Sequence, residues 1–181
     1  EASCAIKYPA DKLEIQVLDD STDATVELVK NIVREMKERG HNIHHVRRNT
    51  RQGFKAGALK DGLQLATGEF IAIFDADFVP REEFLLKTLP YFYSNKKIGM
   101  VQTRWEHLNG EYSLLTRTQA MALDGHFVIE QAVRNKAGFF INFNGTGGIW
   151  RKSCIEDAGN WHSDTLTEDL DLSYRAQLRG W

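Results

Sequence analysis

The sequence predicts an α/β domain: a mostly parallel, mixed sheet flanked by helices. Two observations carry this. Short β-rich segments alternate with helical repeats as far as Trp105, and the strands deliver acidic turns, the place where open α/β sheets bind ligands.

The elements follow in order. Leu13 to Leu18 is β-rich and ends at Asp19-Asp20-Ser21. From Thr22 to Arg39 apolar residues recur at helical spacing, with Val26, Val29, Ile32, Val33 and Met36 as the buried stripe, Ser21 or Thr22 as cap and Gly40 as terminator. Asn42 to Arg48 reads as a strand, Lys55 to Ala66 as a helix closed near Gly68, and Glu69 to Phe74 as a strand. Pro80 opens a helix from Arg81 to Ser94, and Ile98 to Thr103 is a further strand. A long helix is expected from Leu114 to about Val133, then a strand Phe139 to Phe143 that runs into Asn144-Gly145-Thr146-Gly147-Gly148. Asp164 or Thr167 caps a last helix with acids in its first turn, running through Tyr174 and Leu178. No repeat, low-complexity tract or linker interrupts residues 1–181, so a single domain is expected.

Composition narrows the function. A chain 42% hydrophobic and 27% charged supports a folded core, and 23 Lys and Arg against 25 Asp and Glu leave no basic surface for nucleic acid. Cys4 and Cys154 form neither a metal cluster nor a disulfide framework, which fits a reducing compartment. No apolar run approaches the roughly 20 residues that cross a bilayer, and none reads as a secretory leader. His44 and His45 sit in a strand-like run, where alternation sends them to opposite faces, so no metal site is expected there. Trp105 and Trp150 read as core or rim aromatics.

The most informative segment is Phe70-Ile71-Ala72-Ile73-Phe74-Asp75-Ala76-Asp77, one buried strand that ends in two carboxylates one residue apart. Such a pair at a sheet edge suits a hard divalent cation that bridges phosphate oxygens. A calcium loop of the EF-hand type does not fit, because Val79 and Leu86 stand where oxygen ligands belong.

Five segments taken together resemble a known family. They are Val17 to Asp23, Arg51 to Leu59, Phe74 to Phe78, Phe143 to Gly148, and Thr167-Glu168-Asp169. In this order they are similar to the processive family 2 glycosyltransferases, and most to the cellulose-synthase-like enzymes that make β-linked glucan or mannan backbones. The resemblance implies a GT-A fold and an inverting transfer of a hexose from a nucleotide diphosphate sugar to a growing polysaccharide. By similarity Asp77 is the direct ligand of a Mg²⁺ or Mn²⁺ ion, and Asp75 touches the metal or the ribose. Asp19 and Asp20 contact base and ribose, and Lys55 lies near the diphosphate. Asp169 of Thr-Glu-Asp, beside Glu168, matches the general base, and Asn144, Gly145 and Thr146 lie near the acceptor sugar. Asp20 also suits a helix cap, Lys55 a solvated lysine, and Asn144 to Gly148 a tight turn.

The resemblance also implies departures. A first strand of the fold is expected to be missing, with Glu1 to Ala10 the end of the helix after it, and the chain stops at Gly180-Trp181, before the family's Gln-x-x-Arg-Trp motif. The expectation is therefore a truncated catalytic domain, inactive alone. Its full-length protein would be embedded in a membrane through helices absent here, with this domain on the cytoplasmic face. UDP-glucose and GDP-mannose are the expected donors, ahead of N-acetylglucosamine carriers. Two other classes stay open. Asp75 to Val79 resembles the nucleophile loop of haloacid-dehalogenase-type phosphatases, with Asp75 attacking phosphorus, and a noncatalytic nucleotide-sugar module would keep the fold without the chemistry.

Overall fold

The computed structural model describes residues 1–181. Two 3₁₀ turns, Ala2–Ala5 and Ala10–Lys12, precede the first strand, where the end of an α-helix was expected. Strand β1 (Ile15–Asp19) pairs in parallel with β2 (Ile43–Arg47), from Ile15 opposite Ile43 to Asp19 opposite Arg47. Helix α1 (Thr25–Glu38) crosses between them and buries Val33 and Met36 against Ile43. Its start is held by Asp23, whose Oδ1 accepts the Thr25 N–H at 2.9 Å, and not by Ser21 or Thr22. Its end is a left-handed Gly40, φ +91°, with the Gly40 and His41 N–H groups donating to Lys37 and Met36.

Helix α2 (Phe54–Leu65) leads to β3 (Phe70–Ile73), then α3 (Phe84–Ser94) and β4 (Met100–Gln102). The long helix is present, but it changes pitch twice. α4 (Leu114–Asp124) passes into a π-helical stretch, Gly125–Gln131, and returns to α5 (Ala132–Lys136). β5 (Gly148–Arg151), α6 (Lys152–Asp157) and α7 (Glu168–Leu178) complete the chain.

The strand expected at Phe139 to Phe143 does not form, for a reason visible in its hydrogen bonds. Ile141, Phe143 and Asn144 donate their N–H groups to the side chains of Gln177, Ser173 and Gln102, so no ladder partner is needed. β5 takes its place. It lies between β3 and β4 and runs antiparallel to both, so parallel pairing is confined to β1 and β2.

β5 also organises the core. Ile149, fully buried, faces Phe84, Leu85, Leu89 and Phe92 of α3, while the next residue, Trp150, packs with Phe143, Cys154, Ile155 and Leu172 on the opposite face. Burial of each large side chain contributes about 1.5–3 kcal/mol. Helices are thereby fastened to both faces of one short strand, and the loops at its Gly148 end are held against β3 and β4.

Candidate active site

Four loops meet at that end. Beyond β3 the chain turns, with Phe78 N–H donating to Asp75 O at 3.0 Å. Asp75 N–H in turn donates to Oγ1 of the buried Thr146 at 2.9 Å. Lys55, in the first turn of α2, donates from Nζ to Asp75 Oδ1 at 2.6 Å and to Gly145 O at 3.0 Å. Asp169 sits in the first turn of α7 on the other side of Gly145. A Cβ on Gly145 would lie 3.3 Å from Asp169 Oδ2 and 3.5 Å from Lys55 Nζ. Lys55, Asp75, Gly145 and Asp169, spread over more than 110 positions, thus share one small volume. The Lys55–Asp75 side chains are 40% and 43% exposed, so the pair adds little to stability and mainly fixes local charge.

Supporting side chains set this geometry. Ser173 Oγ donates to Asp169 O at 2.6 Å and accepts from Phe143 N–H at 2.8 Å, tying α7 to the glycine loop. Gln102 Nε2 donates to Thr146 O at 3.0 Å and to Gly147 O at 3.3 Å, while its Oε1 takes the Asn144 N–H. Gly147 has φ +66°, and a Cβ there would press on Phe78 at 3.0 Å and Trp105 at 3.1 Å. Thr146 is therefore buried under the loop, Gly145 faces Lys55 and Asp169, and Asn144 is half-buried. Asn144 Oδ1 accepts from Asn142 Nδ2 at 2.7 Å and lies 3.4 Å from His126 Nε2, on the π-helical stretch.

The expected nucleotide acids, Asp19 and Asp20, lie at the carboxyl end of β1, and internal partners occupy both. Asp19 is buried, with Oδ1 accepting Ser21 N–H at 2.8 Å and Oδ2 lying 2.7 Å from His45 Nε2. Burial by itself would raise its carboxyl, but the Ser21 and His45 hydrogen bonds outweigh it and hold the pKa below the ordinary value. Asp20 is clasped by Arg48, whose hydrogen bonds lower its pKa. His44 points away to Asn42. Trp150 is core, and Trp105 lies at the rim among Phe78, His107 and Phe127.

Asp77 is exposed and makes no side-chain hydrogen bond, which leaves both its oxygens available. No three His, Cys, Asp or Glu side chains stand close enough to cage an ion on their own. Two hard carboxylates, completed by water and ligand oxygens, are the donor set that suits Mg²⁺ or Mn²⁺. Glu168, the residue before Asp169, opens α7 and is half-buried.

Sequence reading passed over Arg48, Gln102, Ser173 and His126. Arg48 and Ser173 carried no local signal, because each acts on a segment distant in sequence. The π-helical stretch likewise has no signature in apolar spacing.

An acidic strand-end turn, a lysine, a glycine loop and an acidic helix start thus come together at one end of a layered α/β fold. The whole chain, residues 1–181, matches the family described as Glycosyltransferase like family 2, and the protein belongs to that family. Its relatives include glucomannan 4-β-mannosyltransferase 1 of Cyamopsis tetragonoloba, 47% identical over 99% of this chain and 35% of that protein. Glucomannan 4-β-mannosyltransferase 9 of Arabidopsis thaliana is 46% identical over 99% of this chain and 34% of its own length. The chain thus spans about a third of these relatives. Among solved structures, the mannosyltransferase PcManGT from Pyrobaculum calidifontis, in complex with GDP-Man and Mn²⁺, superposes with a TM-score of 0.76 at 23% identity, over 98% of this chain and 46% of that one. S. aureus TarS 1-349 in complex with UDP gives 0.66 at 18% identity, over 98% and 49%. The fold is GT-A. The phosphatase alternative falls with the family match over the full chain.

Proposed function

We propose that this domain is the catalytic core of an inverting hexosyltransferase that moves mannose from GDP-mannose to the end of a growing β-linked polysaccharide. The observation that carries the reading is the convergence of Lys55, Asp75, Gly145 and Asp169. The mannosyl preference is supported by the names of the relatives, and the GDP carrier by the GDP-Man bound in the archaeal neighbour.

Each group then has a chemical task. Asp77 and Asp75 would hold a Mg²⁺ or Mn²⁺ ion, which would supply positive charge to the leaving diphosphate. Lys55 moves its ammonium from Asp75 to a phosphate oxygen, a short swing for a flexible stem. Asp169 accepts the proton of the attacking acceptor hydroxyl from the face opposite the diphosphate, which inverts the anomeric centre. Glu168 and the Asn144–Gly145 backbone flank the acceptor, and Thr146 holds the Asp75 turn from beneath. Asp19 and Asp20 shape the base and ribose side. In the whole protein we place this domain on the cytoplasmic face of a membrane, held by segments outside residues 1–181; no helix within them is long and apolar enough to cross one.

Two measurements test the reading. Calorimetric titration of GDP and UDP with Mn²⁺ is expected to show GDP binding that EDTA and Asp77→Ala abolish. Transfer of labelled mannose by the whole protein should fall about 10²-fold or more in Asp169→Asn while GDP binding persists. Full transfer by that variant would remove Asp169 as the base, and incorporation from UDP-glucose alone would replace the donor.

A further inference from the structure

His45 has no part in the chemistry above, yet it is the partner of one of the most buried carboxylates in the protein. The His45 and Asp19 side chains are 14% and 5% exposed, with Nε2 2.7 Å from Oδ2. Parallel register sets His45 opposite Val17 and Arg47 opposite Asp19, so His45 and Arg47 project from one face of β2 toward the chain leaving β1. Arg47 Nη2 donates to Ser21 O at 2.6 Å, and its Nε lies 3.8 Å from Asp19 Oδ2. Asp19 Oδ1 meanwhile holds Ser21 N–H. The turn after β1 is thus tied through both polar backbone groups of Ser21, one by way of the His45–Asp19 pair and one by Arg47.

We infer that His45 is a positioning residue for the nucleotide: by donating from Nε2 to Asp19, it holds the Asp19–Ser21 turn in the shape that receives the base and ribose. The inference rests on the reading proposed above. Without the imidazole donor, one oxygen of a buried carboxylate loses its partner, Asp19 is drawn to Arg47, and the Ser21 N–H is released. Shape at this turn matters because it stands where α/β sheets receive their ligands. The required feature is a donor at the Nε2 position. Glutamine places an N–H₂ near that point and leucine fills the space without it.

The test is calorimetric titration of GDP with Mn²⁺ into the protein and its His45→Gln, His45→Leu and Arg47→Met variants, each checked for fold by circular dichroism and melting. His45→Gln is expected to bind within about threefold of the unaltered chain, and His45→Leu and Arg47→Met about tenfold more weakly. A folded His45→Leu protein with unchanged GDP affinity overturns the inference, as does a His45→Gln loss equal to that of His45→Leu. Should His45→Leu fail to fold, unchanged binding by Arg47→Met, whose side chain is 43% exposed, has the same force. If the unaltered protein binds neither GDP nor UDP, the nucleotide-sugar reading itself fails and takes the inference with it.

Discussion

Arg48 grips Asp20 with two prongs: Nε donates to Oδ1 at 3.0 Å and Nη2 donates to Oδ2, with only 10% and 17% of the two side chains exposed. The same guanidinium donates to Gln52 O at 2.9 Å and Phe54 O at 3.1 Å. One side chain therefore joins the end of β1 to the loop that starts α2, one residue before Lys55. Gly57 belongs to this arrangement, since a Cβ there would lie 2.1 Å from Gln52 O.

Arg48→Met leaves Asp20 half-enclosed without its partner and frees two carbonyls. A loss of about 2 kcal/mol is expected, lowering the melting temperature by roughly 4–8 °C for a domain of this size. Arg48→Lys recovers only part of it, because an ammonium cannot span both carboxylate oxygens. Thermal denaturation followed by circular dichroism checks both.

Acid should attack the same corner. Asp20, through its Arg48 hydrogen bonds, and Asp19, through Ser21 and His45 acting against burial, are held below their ordinary carboxyl values. A depressed folded pKa stabilises the protein above the unfolded value, about 3.9, and that stabilisation disappears as pH falls through the depressed value. Urea midpoints should hold down to about pH 5 and fall below about pH 4. The fall should be shallower in Arg48→Met.

Gly145 has φ +73°, and a methyl group there would press on Asp169 Oδ2 at 3.3 Å and touch Lys55 Nζ at 3.5 Å. Gly145→Ala is expected to cost about 1–2 kcal/mol in backbone strain and to lower mannose transfer by the whole protein at least tenfold. Gly125 is the contrast, with φ −58° and nothing within 4 Å of a Cβ, so Gly125→Ala should leave stability unchanged or slightly raised. Parallel melts and transfer assays compare the two.

Cys154 is fully buried against Gly99, and burial pushes its thiol up to about 12. Cys4 is only partly buried. Iodoacetamide at pH 8, followed by mass spectrometry, should label Cys4 first and reach Cys154 only after denaturation. Early labelling of Cys154 would show that the α6 end of the core opens in the native state.

Much of the fold was legible because its signals are local. Strand β3 with Asp75 and Asp77, the apolar stripe of α1 with Gly40 at its end, and α7 with acids in its first turn all depend on spacing within a few residues. Errors came where distant partners decided the outcome. Phe139 to Phe143 has strand composition, but Ser173 and Gln177 satisfy its backbone, and β5 begins at a glycine with no apolar alternation to announce it. The long helix was visible, whereas its π-helical stretch was not, because that change of pitch accompanies contacts of His126 and Phe127 with Asn144 and Trp105.

The amino-acid sequence by itself determined the α/β class, the order of the elements as far as β4, the family resemblance and the residue types available for chemistry, since periodicity and short motifs are properties of neighbouring positions. Tertiary structure alone decided that β5 runs antiparallel between β3 and β4, that Thr146 lies buried beneath Asp75, and that Asp19 and Asp20 are held by His45 and Arg48. These are pairings between segments tens of residues apart. They are selected by which buried donors and acceptors can satisfy one another once the core has closed, and nothing in a local window records that choice.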